Sequence, residues 1–312
     1  MADYHISCMP SEVMHYLNPR PGGIYLDGTV GGAGHSRLIC NRIQPDGHLI
    51  GIDQDLDAIQ HAREVLAPFF PRFSLHQDTF SHMDRIIRDL DFDGVDGILL
   101  DLGLSWHQLQ GSGRGFSFKR EEPLDMRMDA RAGLTAADIV NGWDVADLMR
   151  IFKEYGEERR ARPIARAIVR ARTRQPLKSS KALADLIYRA MPPTAARSQR
   201  IHPATRVFQA LRIAVNQELD RLEQALPMAV DCLNRGGRLC VLAFHSLEDR
   251  IVKRAFREMA RTCTCPPRAP VCTCKGKARV SLLTRKVVRP TVEEITANPM
   301  ARSTRLRAVE KR

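Results

Sequence analysis

The feature that most constrains this chain is the alternation of short apolar runs and helical segments over its first hundred residues. IYLDGTV at 24–30 reads as a buried strand entered from the turn Pro21-Gly22-Gly23, and Gly31-Gly32-Ala33-Gly34 leads into a helix from His35 to Ile43. HLIGID is a second strand ending at Asp53, and DLDAIQHAREVL after it has helical periodicity. FSLHQ is a third strand, followed by Asp78-Thr79-Phe80, and GVDGILLDL is a fourth, ending near Asp101. Strands alternating with helices over short loops form a parallel, doubly wound α/β sheet. Such sheets bind ligands outside the carboxyl ends of their strands, near the switch point.

That rule selects residues. Gly31, Gly32 and Gly34 follow the first strand, where a ligand comes close to bare backbone. Asp53 ends the second strand, 19 residues after Gly34, where an acid accepts hydrogen bonds from ribose hydroxyls. The spacing alone also suits a nicotinamide dinucleotide. The glycines do not fit G-x-G-x-x-G, however, and Asp27 stands directly before the glycine turn, where it would repel a pyrophosphate. A cofactor carrying an amino group or a sulfonium, such as S-adenosylmethionine, is compatible with it. The competing reading is a glycine turn that only lets a helix pack.

After Asp101 the pattern changes. LGLSWHQLQGSGRGFSFKREEPLDMRMD is a long polar, Gly-rich loop, and loops of that length inside compact domains are commonly functional or disordered. Helical segments follow at LTAADIVN, DVADLMRIFKEYG and SSKALADLIYRAM, with Thr135 and Asp144 as N-caps. Between them EERRARPIARAIVRAR, with Arg174, carries seven arginines in residues 157–174. Pro163 fits a helix that begins near Arg162, and the arginine helix reads equally as a solvated surface or a phosphate-binding face. A helix over 204–226 returns the chain to the sheet, GGRLCVLAF at 236–244 is a fifth strand, and RKVVRP and STRLRAVEK are candidate closing strands. The predicted organisation is a discontinuous core of residues 1–108 and 207–312, interrupted by a helical insertion of residues 109–206.

Charge follows these boundaries. The net charge of +12 divides into −10 for residues 1–108 with 207–249, +9 for 109–206 and +13 for 250–312. Two basic blocks on an acidic core favour a polyanionic partner, against the plain alternative of a solvated basic face. No run of 18 apolar residues and no basic-then-apolar leader is present, so a membrane span and a secretory signal are not expected. Cys8, Cys40, Cys232 and Cys240 lie singly in or beside apolar segments, which points to a reducing cytoplasm. Cys263-x-Cys265-x6-Cys272-x-Cys274 is either a tetrahedral thiolate site or an unmetallated loop, because the usual C-x2-C spacing is absent.

Longer motifs carry a resemblance. DGTVGGAGHS at 27–36, GIDQD at 51–55, DGILLDLGLS at 96–105, RGFSF at 114–118, PLDMRMD at 123–129, YGEER at 155–159 and IARAIV at 164–169 are joined by HPATRVFQALRIAVNQEL at 202–219, GGRLCVLAFHSLEDRIVKR at 236–254 and NPMARSTRLRAVEK at 298–311. With these stretches the chain resembles the bacterial small-subunit (16S) ribosomal RNA cytosine-N4 methyltransferases, the RsmH/MraW family. The resemblance implies a Rossmann-like class I S-adenosylmethionine-dependent methyltransferase sheet interrupted by an inserted helical domain. It implies methyl transfer to the exocyclic N4 of a cytidine in the decoding region of 16S ribosomal RNA, within the small ribosomal subunit. Carried over by motif, the cofactor contacts fall on Ala33, Gly34, His35, Asp53, Phe80, Asp101 and Gln108. Ala33 stands where the family commonly has glycine, Trp106-His107 replaces small or Pro residues, and Pro163 replaces a basic one. A homodimer is compatible with the sequence, which does not fix the oligomeric state.

The chemistry narrows the roles. The N4 lone pair of cytosine is delocalised into the ring, so attack on a sulfonium methyl needs in-line approach and acceptors for the amine hydrogens. Asp101 is the candidate catalytic acceptor, with cofactor binding as an equal alternative. His245, Glu248 and Asp249 follow the fifth strand and either face the base or form a capped helix start at Ser246. Phe116, Phe118 and Trp106 either stack on a base or belong to the core. Arg114, Arg127 and Arg206 are candidate phosphate contacts, which fix register rather than read sequence. The rival functions are a methyltransferase acting on DNA or protein and a ribosome-binding factor without catalysis.

Overall fold

The computed structural model describes residues 6–191, 201–263, 265 and 276–312. Contacts divide the chain into two compact units, Met1–Gly103 with Leu219–Arg312, and Leu104–Glu218.

The first unit is built on one seven-stranded sheet: β1 (Ile24–Asp27), β2 (His48–Asp53), β3 (Phe73–Gln77), β4 (Val95–Asp101), β5 (Leu233–Ala243), β6 (Val280–Leu282) and β7 (Arg305–Lys311). Their order is β3-β2-β1-β4-β5-β7-β6. The first five run parallel, and β7 pairs antiparallel with both β5 and β6. Parallel strands covered on both faces are apolar at successive positions, which is why HLIGID and VDGILLD stand out as strands. Tyr25, Leu49, Leu99 and Leu242 face α1 (Pro10–Leu17), α2 (Gly34–Ile43) and α3 (Leu56–Leu66). Their neighbours Leu26, Ile50, Ile98 and Leu100 belong to a second core with α4 (Met83–Asp89), as the two-residue strand period requires. The order reverses between β1 and β4, and this switch point puts the ends of β1, β2 and β4 side by side.

The second unit contains α5 (Trp106–Gln110), α6 (Ala136–Gly142), α7 (Val145–Glu154), α8 (Ala161–Arg172), α9 (Ser180–Ala190) and α10 (Ala204–Asn216). They enclose a core of Ile139, Phe152, Ile164, Ile168, Leu183 and Leu211. Thr135 and Asp144 cap α6 and α7 by accepting the backbone N–H groups of Asp138 and Asp147, as their position in the sequence predicts.

The structure differs from four expectations. The helix expected over 204–226 is two helices, because Gln217 adopts the left-handed region at φ 52° between α10 and α11 (Glu218–Cys232). Val207, Phe208 and Leu211 of α10 are buried in the helical unit, whereas Leu222, Leu226 and Val230 of α11 cover the sheet. The units therefore divide at 103/104 and 218/219, where the sequence placed the boundaries at 108/109 and 206/207. RKVVRP is not a strand: only Val288 forms a bridge, to Leu306, and the edge strand is Val280–Leu282. The helix after β5, α12 (Ser246–Met259), is capped by His245 rather than Ser246, and α13 (Val292–Ala297) precedes β7.

Candidate cofactor site at the strand ends

The turn after β1 is fastened to both neighbouring strands. Gly28 N–H donates to the Leu99 carbonyl at 2.9 Å and Val30 N–H to that of Ile52 at 3.1 Å. Gly31, at φ 49°, and Ala33, at φ 58°, are both left-handed, so the backbone curls tightly before α2 begins at Gly34. Ala33 is fully buried and carries a Cβ in a region that favours glycine, at a cost of about 1–2 kcal/mol.

Three carboxylates sit at the strand ends, and each has a different role. Asp27 is 1% exposed and accepts from Ser36 Oγ at 2.6 Å and from Thr29 N–H at 3.2 Å. Burial pushes its pKa up, against the hydrogen bond from Ser36 and the nearby His35 ring. Asp27 therefore holds the turn together from inside, which is a structural reason for an acid in front of the glycines. Asp53 Oδ2 accepts Gly31 N–H and its Oδ1 accepts Asp55 N–H, both at 2.9 Å. Burial pushes Asp53 up to about 7, although both N–H donors oppose the shift.

Asp101 differs from both. Its N–H donates to Thr29 Oγ1 at 2.6 Å, fixing the backbone, but its buried side-chain Oδ1 has no hydrogen-bond partner among the described residues. Asp101 Oδ2 lies 3.6 Å from His35 Nε2. Both ring nitrogens of His35, a residue 5% exposed at the start of α2, likewise have no hydrogen-bond partner among the described residues. Leaving a buried polar atom unpaired costs about 1–3 kcal/mol. Three such atoms converging at the switch point fit a ligand that brings its own donors and acceptors. An ammonium for Asp101 and a carboxylate for an imidazole N–H match the amino-acid end of S-adenosylmethionine. Asp53 retains acceptor capacity for ribose hydroxyls, and Phe80, 7% exposed in the 3-10 turn Phe80–His82, supplies an apolar ring.

The structure thus brings Ala33, Gly34, His35, Asp53, Phe80 and Asp101 together in the first unit. Gln108 belongs to the second, where its Oε1 accepts Ser105 N–H in a capping box that opens α5. Thr29 and Ser36, which orient Asp101 and Asp27, did not stand out in the sequence. Their only signal is that they are hydroxyl residues within DGTVGGAGHS.

The remaining candidates are engaged internally. Arg127 binds Asp125 through Nε and Nη2 at 2.8 and 2.7 Å, and its Nη1 donates to the carbonyls of Ala130 and Ala132. Arg114 Nη1 donates to the carbonyls of Arg127 and Met128. These two arginines order the long loop through those contacts. Arg206 Nη1 is 3.9 Å from buried Glu158. His245 Nε2 lies 3.0 Å from Glu248 Oε1, while Glu248 Oε2 accepts the N–H groups of Phe244 and His245. Asp249 pairs with Arg307 at 2.7 Å and Arg305 at 3.7 Å. Phe116 is core, Phe118 stacks on His202 at 4.6 Å, and Trp106 is exposed. Cys272 and Cys274 lie outside the described residues.

The sheet order, the antiparallel β7 beside β5 and the glycine turn at the switch point are the arrangement expected of a class I S-adenosylmethionine-dependent methyltransferase. Within that class the chain belongs to the MraW methylase family, whose sequence model matches residues 2–312. It is 54% identical over 303 residues to Ribosomal RNA small subunit methyltransferase H of Desulforapulum autotrophicum, covering 97% of each chain. It is 52% identical over 307 residues to the protein of that name from Syntrophotalea carbinolica, covering 98% of each, and 53% identical over 307 residues to that of Geobacter sulfurreducens, again covering 98% of each.

Proposed function

We propose that this chain transfers a methyl group from S-adenosylmethionine to small-subunit (16S) ribosomal RNA, at the exocyclic N4 of a cytidine in the decoding region. The names of its relatives support ribosomal RNA as substrate. The motifs FHSLEDR, PLDMRMD and HPATR support the cytidine amine. The observation that carries the reading is the buried His35–Asp101 pair, whose Asp101 Oδ1 and His35 ring nitrogens have no hydrogen-bond partner among the described residues.

S-adenosylmethionine, when bound, supplies an electrophilic methyl carbon. The chain's own groups supply position and acceptors. Asp53 and the Gly31–Ala33 backbone hold the nucleoside end, and His35 with Asp101 holds the amino-acid end. Gln108 joins this set by its motif alone. Asp101 and the carbonyls of Leu102 and Gly103 lie where β4 ends, so they are also the acceptors for an amine hydrogen. That hydrogen bond raises electron density on N4 in the transition state. As the N–C bond forms, the methyl–sulfur bond breaks to leave a neutral thioether, and the N4 proton passes by way of the Asp101 carboxylate to solvent. Gly103 packs against the Phe244 ring so closely that a Cβ there would lie 2.7 Å from it, which pins the path of the chain as it leaves the strand. Arg206 and His245 are the remaining substrate contacts in this reading.

The enzyme works in the cytoplasm, and no helix among the described residues is long and apolar enough to cross a membrane. The test is incubation with methyl-labelled cofactor and 30S subunits, followed by mapping of the modified base. Label on a decoding-region cytidine N4 is expected. Label on another base, on DNA or on protein overturns the assignment.

A further inference from the structure

Helix α8 concentrates arginines that no carboxylate among the described residues neutralises. Arg162, Arg166 and Arg170 recur every four residues, so they lie in file on one face, about 6 Å apart along the axis. All three are exposed. Other arginines of the same unit have carboxylate partners: Arg127 with Asp125, Arg131 with Asp129, Arg150 with Asp147 and Glu154, and Arg212 with Glu218. Arg172, on the same helix, donates to the Val140 carbonyl. Among the described residues, Arg162, Arg166 and Arg170 have no carboxylate within ion-pair distance. Like charges at i and i+4 repel and weaken a helix, yet here two such steps follow one another with no acid between them.

The file also borders a concavity. Arg162, Arg166 and Arg170 line a cleft of about 640 Å³ whose apolar surface includes Val145, Pro163 and Val169. A surface that only needed solubility would mix the two signs of charge. A row of guanidiniums beside an apolar strip matches a strand of nucleic acid, which presents one phosphate per nucleotide at a similar spacing and an apolar sugar edge between them. The buried stripe of Ala161, Ile164, Ala165 and Ile168 fixes the opposite side of the helix in the core, so the arginine face is held rigid and outward.

Resting on the reading of this chain as an RNA methyltransferase, we propose that the α8 face, through Arg162, Arg166 and Arg170, is a docking track for the phosphodiester backbone of a single strand of the substrate RNA. The track binds the backbone without reading bases. It contributes to substrate affinity and its salt dependence, and leaves cofactor binding alone.

The test compares the full chain with the triple variant Arg162→Gln, Arg166→Gln, Arg170→Gln and with a control, Lys153→Gln, Lys178→Gln, Lys181→Gln. The control removes the same charge from exposed positions of the same unit. Binding of a short labelled single-stranded RNA is measured across a salt series, with cofactor affinity and melting temperature alongside. The arginine variant is expected to bind RNA at least about tenfold more weakly, and its log–log salt slope is expected to fall by about 2, the value for three lost phosphate contacts on a single strand. The control should keep most of its slope, and cofactor affinity should be unchanged in all three proteins. An unchanged slope in the arginine variant, or an equal fall in the control, overturns the track and leaves the methyltransferase reading standing. Absence of methyl transfer to 30S subunits by the unaltered chain removes that reading and the track with it.

Discussion

The strand-end cradle and the α8 face are built on opposite principles. In the cradle, charges and polar atoms are buried, few and incompletely paired: Asp101 Oδ1 and the His35 ring nitrogens have no hydrogen-bond partner among the described residues. On α8 the charges are exposed and repeated, and water already solvates them. A buried unpaired group loses heavily when misplaced, so the cradle has to be geometrically exact and is fastened by Thr29, Ser36 and two left-handed residues. An exposed arginine acts through a field that tolerates ångström errors but fades with salt. The acidic core and basic blocks of the sequence correspond to these two ways of using charge.

The comparison can be broken by substitution. The largest effect is expected from Asp101→Ala. Methyl transfer should fall by about 10³-fold with RNA affinity unaltered, and near-normal turnover would remove Asp101 from the chemistry. Asp249→Ala asks whether the acid after β5 belongs with the cradle or with the scaffold. Breaking its partly buried pair with Arg307 should cost about 2 kcal/mol of stability, less than a fully buried pair would, with kcat intact. A selective loss of kcat at unchanged melting temperature would instead place Asp249 at the base.

Asp53 sharpens the point about burial. Asp53→Asn should weaken cofactor binding by about 10- to 100-fold, as for a lost hydrogen bond to a charged group. In the unaltered chain, cofactor affinity measured calorimetrically should rise as pH rises through about 7, because ionised Asp53 is the better acceptor. Stability of the cofactor-free chain should move the other way. The folded state holds the Asp53 proton up to about 7 whereas the unfolded chain releases it near 4, so stability falls as pH rises across that window. Asp53→Asn should flatten that part of the profile, and an unchanged profile would show that Asp53 does not titrate there. The smallest effect is Ala33→Gly. Relief of the left-handed Cβ and loss of a buried methyl oppose one another, so thermal melting should report a change under about 1 kcal/mol.

Much of the cradle could be read from the chain because its strands are short apolar runs, and β1, β2 and β4 end in acids. HLIGID and FSLHQ match β2 and β3 residue for residue. What could not be read is tertiary. No periodicity distinguishes the Asp27 carboxylate, spent on Ser36 and Thr29, from that of Asp101, left open. The Arg127 guanidinium looks available in sequence, and only the fold reveals Asp125 and two carbonyls around it. Residues 204–226 keep an amphipathic pattern through Asn216-Gln217, so the break at a left-handed glutamine leaves no mark in the hydrophobic period.

The excursion between the fourth and fifth strands also has a consequence in time. β4 ends at Asp101 and its neighbour β5 begins at Leu233, so the centre of the sheet closes across more than a hundred residues. An unstructured loop of that length costs about 2 kcal/mol more to close than one of ten residues. Prior folding of residues 104–218 would shorten the effective loop. A ribosome synthesising this chain releases β1 to β4 first, with the inner edge of β4 unpaired until α11 and β5 emerge. The route of least entropy has the inserted helices collapse during that interval, so that the sheet containing the cofactor cradle is completed last.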